Sequence, residues 1–190
     1  MKTEIDIYDF DKTLVPFDSG SLFIFHCLVR YPWIIVFLPL IAVGFLLMMA
    51  GAISINAFKR FCFCFVPFIP LEKAVKSFWD RHEKDVFQWF KERERYAVVI
   101  SASPDFLLEE IQKRLGFEKL ICSRHGKRGE LLGENCRGEE KVRRLYEEFN
   151  KEDIEVIDVY SDSVKNDMPI FLLATRNRYQ IVKGRKIRLQ

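Results

Sequence analysis

One hundred and ninety residues, 49% hydrophobic and 30% charged, suit one compact domain or one domain carrying an insertion. The formal net charge of +3 is too small to imply a nucleic-acid partner, and the composition excludes a disordered chain. Five cysteines (Cys27, Cys62, Cys64, Cys122 and Cys136) include no Cys-x-x-Cys pair and leave an odd one over, which argues for reduced thiols facing a cytosol and against a disulfide framework.

Thr3 to Tyr8 alternates polar and apolar residues as a strand does, and the run breaks at Asp9-Phe10-Asp11-Lys12-Thr13. Side chains two apart on an extended backbone point the same way, so Asp9 and Asp11 are expected to share one face. Like charges held that close cost several kcal/mol unless a cation or a shared proton offsets them. The motif therefore reads as a metal site, an acid/base pair, or both. These first twenty residues hold a strand and five acidic side chains, not the basic flank and apolar core of a signal peptide.

From Ser19 to Pro70 the composition changes. No residue between Arg30 and Lys59 is charged, and Ile34 to Ile55 is apolar apart from two glycines and Ser54, which meets the ~20-residue requirement of a membrane helix. A second, shorter apolar run follows from Phe61 to Pro70, and Arg30, Lys59 and Arg60 bracket the first. Cys62 and Cys64, in Phe-Cys-Phe-Cys-Phe, read as apolar packing and not as metal or redox chemistry.

Beyond it the chain is an ordinary α/β sequence. Leu71 to Tyr96 carries a helical apolar stripe with His82 on it. Ala97 to Ile100 is a short buried strand, and Ser103 is placed to cap a helix that opens at Pro104 and ends before Gly116. Lys119 to Arg124 reads as a strand, His125 to Gly138 as a polar Gly-rich hairpin, and Glu139 to Asn150 as a helix. Ile154 to Tyr160 is a strand, Ser161 to Asp167 a turn, Pro169 the start of a short helix, and Tyr179 to Val182 a last edge strand. The stretch from Arg176 to Arg188, with six Lys/Arg, reads as a solvated basic tail or one that adds to membrane attraction. Alternating strands and helices imply a mainly parallel sheet with helices on both faces, whose site lies beyond the carboxyl ends of the strands.

The polar residues expected there are Asp9, Asp11, Thr13, Ser101, Lys141, Asp162 and Asp167: four carboxylates, two hydroxyls and a lysine. That set suits Mg²⁺ plus a phosphate, because Mg²⁺ takes few carboxylates and keeps waters, while a phosphate needs donors and positive charge. Singly each has an ordinary reading: a turn aspartate, a solvated lysine beside Glu139 and Glu140, a capping serine. It is their order and placement that speak.

With these motifs the chain resembles the haloacid dehalogenase superfamily of aspartate-nucleophile phosphatases. The four motifs are Asp9-Phe10-Asp11-Lys12-Thr13, Ser101 in Ile-Ser-Ala-Ser-Pro, Lys141 in Gly-Glu-Glu-Lys, and Asp162 to Asp167. An insertion between the first and second motifs is similar to the phosphoserine-phosphatase-like branch (subfamily IB). The apolar insertion, the Ser-Ala-Ser-Pro loop and Tyr-Ser-Asp-Ser further resemble the membrane phosphatidylglycerophosphatase C group. The resemblance implies an α/β fold with a Rossmannoid parallel-sheet core (residues 1–18 and 71–190) and an apolar helical cap inserted after the first strand (19–70, extending to about 95).

The same resemblance implies the roles. Asp9 attacks phosphorus and Asp11 is the acid/base; Thr13, Ser101, Ala102 and Lys141 hold the phosphate; Asp9, Asp11 through its backbone carbonyl, and Asp162 bind Mg²⁺; Ser163 and Asp167 support them. Lys12 departs from the glycine often found at its position and either adds charge beside the phosphate path or points to solvent.

Asp9 precedes the insertion and the other motifs follow it, so a single membrane crossing would separate groups that must meet. The insertion is therefore expected as a shallow helical hairpin turning near Ala50-Gly51 and dipping into one leaflet through residues 31–70. Arg30, Lys59 and Arg60 then lie at lipid-phosphate level and the catalytic groups on the cytoplasmic side. The bland alternative is an ordinary buried cap. The function expected is Mg²⁺-dependent hydrolysis of a lipid phosphomonoester such as phosphatidylglycerophosphate, with no nucleic acid and no required protein partner; hydrolysis of a soluble metabolite such as phosphoserine, or a non-catalytic membrane adaptor, are the alternatives.

Overall fold

The computed structural model describes residues 2–189, so positions 1 and 190 of the expected core lie outside the described residues. Six strands form one sheet: β1 (Thr3–Tyr8), β2 (Tyr96–Pro104), β3 (Lys119–Ser123), β4 (Ile154–Ser161), β5 (Asn177–Val182) and β6 (Arg185–Arg188). Their order is β3-β2-β1-β4-β5-β6, parallel from β3 to β5 with β6 antiparallel at the edge. This is the α/β architecture with a mainly parallel sheet that the alternation of strands and helices implies.

β1 is central, and successive side chains feed two cores. Ile5 and Ile7 join Val98, Ile100, Leu145 and Ile170 in one hydrophobic cluster; Tyr8 joins Val99, Phe78 and Trp79 in the other. The polar side of β1 is therefore not a wet face. Asp6 is buried, and its carboxylate accepts from Arg95 Nε at 2.9 Å and from the backbone N–H of Asp158 at 3.1 Å. A central strand of a doubly covered sheet has no solvent side, so each polar side chain on it needs a partner inside the protein.

Between β1 and β2 lie α1 (Ser19–Arg30), α2 (Leu38–Met49), α3 (Ile55–Lys59), α4 (Leu71–His82) and α5 (Gln88–Lys91); α6 (Asp105–Leu115), α7 (Glu139–Glu148) and α8 (Val164–Phe171) follow. Asp18 caps α1 by accepting from Ser21 N at 2.8 Å. Phe23 of α1 meets Phe78 of α4 edge to face at 5.6 Å, and the Trp79 indole of α4 donates to Leu107 O at 2.8 Å. Such aromatic pairs add ~1 kcal/mol beyond area burial and fix where α1 begins relative to the sheet.

A 3₁₀ segment, Pro32–Phe37, leads into α2, and together Pro32–Met49 has a mean hydropathy of 2.4 with only 11% of its residues buried. Val36, Leu40, Val43, Leu46 and Met49 are exposed. The chain turns after α2 at Gly51, in the left-handed region at φ +73°, and Ser54 then caps α3. Gly44 of α2 lies against Phe61, whose ring would be 2.2 Å from an added Cβ.

Several expectations change. The Leu71 to Tyr96 stripe is not one helix: α4 stops at His82, a 3₁₀ turn covers Glu83–Asp85, and α5 is a single short turn. His82 bonds Asp85 at 2.9 Å, closing α4 locally. β2 runs on to Pro104, so Ser103 is a strand residue and α6 begins at Asp105. His125 to Gly138 is not a hairpin of strands; one bridge, His125 to Leu131, holds it. Gly129 of that loop, at φ +79°, lies where an added Cβ would be 2.0 Å from Phe63 O, so the loop is pressed against the insertion. Pro169 lies inside α8 instead of opening it. The basic stretch from Arg176 is no free tail: β5 and β6 form a hairpin with Lys183 (φ 51°) and Gly184 (φ 79°) at its turn, and β6 is the edge. All five cysteines are free, and Cys62 is buried in the first hydrophobic cluster.

Candidate active site

The carboxyl ends of β1, β2 and β4 and the start of α7 converge. Asp9 is the first residue past β1; its N–H donates to Tyr160 O at 2.9 Å, which continues the pairing with β4 one step and fixes its backbone. Asp9 Oδ1 accepts from Lys141 Nζ at 2.7 Å, and the same ammonium donates to Asp167 Oδ2 at 2.8 Å. Ser161 Oγ donates to that Asp167 oxygen at 2.6 Å. Burial by itself would lower the Lys141 pKa, but the charges of Asp9 and Asp167 outweigh it and hold the ammonium charged. Burial pushes the Asp9 carboxyl up against the pull of Lys141, since two carboxylates share one cation.

Thr13 is fully buried and does not line the cavity described below. Its Oγ1 donates to Asp9 Oδ2 at 3.1 Å and accepts from Asp162 N at 2.9 Å, so it ties the first and last loops together. Ser101 Oγ accepts from Ser103 N at 3.1 Å. Ser163 N donates to Ser161 Oγ at 3.1 Å, and Ser163 Oγ accepts from Asn166 at 2.7 Å. Among the described residues the Asp162 carboxylate has no hydrogen-bond donor; burial, with Asp9 and Asp167 beside it, pushes it up to about 6.

Asp11 shares the cavity with Asp9, but its carboxylate is held from the insertion and from β2. It accepts from Ser19 N at 2.9 Å and from Ser103 Oγ at 2.5 Å, and Ser19 Oγ in turn donates to Ser103 Oγ at 3.0 Å. Burial pushes its pKa up to about 6, with Asp18 adding and the two serines opposing. Lys12 takes φ 57°, a conformation that costs a non-glycine residue ~1 kcal/mol; it is exposed and among the residues that line the cavity described below.

Mg²⁺ fits this set. Asp9 and Asp167 share the Lys141 ammonium, and Asp162 beside them is without a donor, with only the charges of Lys12 and Lys141 at longer range, so three carboxylates outnumber the cations near them. Asp9 and Asp162, with the Asp11 carbonyl, would hold the cation, since Mg²⁺ takes few carboxylates and keeps waters.

These groups lie at one end of a cavity of about 790 Å³. Apolar side chains of the insertion line it too, among them Ile24, Leu38, Ile41, Phe45, Ile55 and Phe58, together with polar residues such as Lys59, His125, Asn135 and Arg137. The structure thus gathers Asp9, Asp11, Ser101, Ala102, Lys141, Asp162, Ser163 and Asp167 on one cavity and leaves Thr13 buried next to it.

Sequence reasoning missed Ser103, Ser19 and Ser161 as partners of the carboxylates. Both Ser103 and Ser161 stood inside the quoted motifs, and Ser103, two residues from Ser101 on extended backbone, shares its face. Lys59 has partners that the sequence did not suggest: its ammonium donates to Ala102 O at 2.9 Å and Asn135 Oδ1 at 3.0 Å.

The model of the haloacid dehalogenase-like hydrolases matches residues 7–171, and the chain belongs to that family. By that membership it is an enzyme, a hydrolase. Protein CicA of Caulobacter vibrioides is 35% identical over 94 residues, 46% of this chain and 41% of that protein, so the match spans under half the length of this curated relative. A protein of unknown function from Bordetella pertussis Tohama I superposes with a TM-score of 0.74 at 18% identity, over 95% of this chain and 90% of that one. A phosphoserine phosphatase solved as a phospho-aspartyl intermediate analogue superposes with a TM-score of 0.54 at 22% identity, over 92% and 84% of the two chains. At these identities the two structures speak to the fold.

Proposed function

We propose that this protein is a Mg²⁺-dependent phosphomonoesterase working through an aspartyl-phosphate on a membrane lipid phosphate such as phosphatidylglycerophosphate, as the phosphatidylglycerophosphatase C group of the phosphoserine-phosphatase-like branch does. The observation that carries it is the cavity, with carboxylates at one end and insertion side chains such as Leu38, Ile41 and Phe45 along its walls. Other side chains of the same segment, Ile35, Val36, Leu46 and Met49 among them, stand exposed, an unusual apolar patch for a soluble surface. A lipid leaflet covers such a patch and delivers a headgroup to the carboxylates while the acyl chains stay in the membrane. Asp9 and the later motifs meet in one site, so the segment enters the leaflet without a net crossing. A site on the cytoplasmic side is part of this reading, and the free thiols are in keeping with it.

In this reading an Asp9 oxygen attacks phosphorus and the bond to the leaving alkoxide breaks. Asp11 gives that alkoxide its proton, then takes one from the water that attacks the aspartyl-phosphate and releases phosphate and Asp9. Ser101, the backbone at Ala102 and Lys141 hold the phosphoryl oxygens as charge shifts. Asp9, Asp162 and the Asp11 carbonyl would hold Mg²⁺, which supplies the positive charge that offsets repulsion between nucleophile and phosphate. Ser103 keeps the Asp11 carboxyl in place, and Ser103→Ala is expected to slow turnover of alkyl phosphates about tenfold, the loss of one hydrogen bond to a charged group. p-Nitrophenyl phosphate, whose leaving group needs no acid, should lose less; equal loss on both esters would count against the role.

The purified protein should release phosphate from phosphatidylglycerophosphate in mixed micelles, lose that activity with a chelator and regain it with Mg²⁺. It should also float with anionic vesicles. Activity on soluble esters alone, without flotation, would instead favour the second reading, a soluble-metabolite phosphatase of the kind the phosphoserine phosphatase neighbours are named for.

A further inference from the structure

We infer that Lys59, with Asn135 and Arg137, forms a second anion-reading pole in the cavity, so that the preferred substrate carries a further oxyanion, of phosphodiester type, next to the phosphate that is cleaved. The inference rests on the cavity being the substrate site.

Lys59 is the last residue of α3, on the insertion, yet its ammonium reaches core residues. An ammonium has three protons. Two of them go to neutral acceptors, Ala102 O at 2.9 Å and Asn135 Oδ1 at 3.0 Å, and among the described residues no carboxylate lies within ion-pair distance. Burial lowers its pKa, with the charges of Asp18 and Asp11 opposing from farther off. A half-buried cation whose close partners are all neutral suits a ligand that brings the counter-charge.

The neighbours point the same way. Asn135 is buried, and its Oδ1 accepts from both Lys59 and Ser123 Oγ (2.9 Å), which orients the amide, since an ammonium can only donate. Its Nδ2 is then a donor with no partner among the described residues. Arg137 lines the cavity as well, and the one side-chain partner of its guanidinium among the described residues is the neutral Asn166 Oδ1 at 2.7 Å, which leaves most of its five donors open. Independently, His125 lines the same cavity with its side chain 1% exposed. Its Nδ1 lies 3.1 Å from Ser123 O, and its buried Nε2 has no partner. With Nδ1 donating, Nε2 accepts, so it suits a hydroxyl of the ligand. Because Lys59 bonds the carbonyl next to Ser101, the second pole adjoins the position assigned to the cleaved phosphate.

The alternative is that Lys59 only straps the insertion to the core. Phosphate release from two pairs of probes separates the two: glycerol 3-phosphate against glycerol 1,3-bisphosphate in solution, and phosphatidic acid against phosphatidylglycerophosphate in mixed micelles. The wild-type protein should prefer the member of each pair that carries two phosphate groups. Lys59→Gln should cut that preference, as a ratio of kcat/KM values and mainly through KM, by about tenfold or more. Lys59→Arg should restore most of it, and Arg137→Gln should reduce it less. Absence of a wild-type preference, or an equal loss on both members in Lys59→Gln, overturns the assignment and leaves the strap. Turnover of the soluble pair alone defeats the lipid reading, while the soluble ratio still decides the role of Lys59. Calorimetric binding of the same compounds to Asp9→Asn protein gives the ratio independently of turnover.

Discussion

Asp9→Asn is expected to abolish phosphate release, by at least about 10⁴-fold, and with it any acid-labile phosphoenzyme. An amide of nearly the same shape cannot attack phosphorus to give an acyl phosphate, so the loss is in kcat and is not recovered at high substrate. Stability should hardly change. In the wild type two carboxylates, Asp9 at 2.7 Å and Asp167 at 2.8 Å, share the Lys141 ammonium, and the substitution leaves Asp167 in place. A thermal unfolding midpoint near that of the wild type, together with lost activity, identifies Asp9 as the nucleophile. A phosphoenzyme that persists in Asp9→Asn would place the nucleophile elsewhere.

Lys141→Ala is expected to lose both activity and stability. Its ammonium is the cation between two buried carboxylates, and removing one partner of a buried ion pair costs ~3–5 kcal/mol because the charge left behind is unpaired. Loss of a donor to the transferring phosphoryl group adds ~10²–10³-fold in kcat. The stability loss should depend on pH in a definite direction. Burial already raises the Asp9 pKa, and without Lys141 nothing nearby opposes it as strongly. A carboxyl raised above its unfolded value contributes stability that is fully present below the unfolded pKa and lost as pH rises through the folded one. The deficit of Lys141→Ala relative to wild type should therefore narrow in acid and widen toward neutral pH, measured by urea unfolding in the absence of Mg²⁺. A deficit independent of pH would mean that lost packing, and not the unpaired carboxylate, dominates.

Much of this site was legible in the chain. Strand-end position alone collected Asp9, Asp11, Ser101, Asp162 and Asp167, because parallel sheets bring the carboxyl ends of their strands together and period-two alternation says which side chains share a face. Lys141 was legible from its place at the start of a helix and its order after Ser101. What failed had local causes. Ser103 looks like a helix cap in Ser-Pro-Asp, but tertiary pairing carries β2 through Pro104 and turns that hydroxyl to Asp11. The stripe from Leu71 continues in helical register past His82, yet the His82–Asp85 contact and the 3₁₀ turn end the helix. The basic run after Arg176 has the composition of a tail and becomes a hairpin because β5 finds β4 as a neighbour.

The sequence by itself determined the α/β alternation and the apolar insertion, since both are written in composition and in periods of two and 3.6 residues, and the four motifs were legible in it through the family resemblance. Only the tertiary structure decided which partners the carboxylates keep and which way Lys59 points. Those are matters of a few ångströms between residues as far apart in the chain as Asp9 and Lys141, or Lys59 and Asn135, and no local period encodes them.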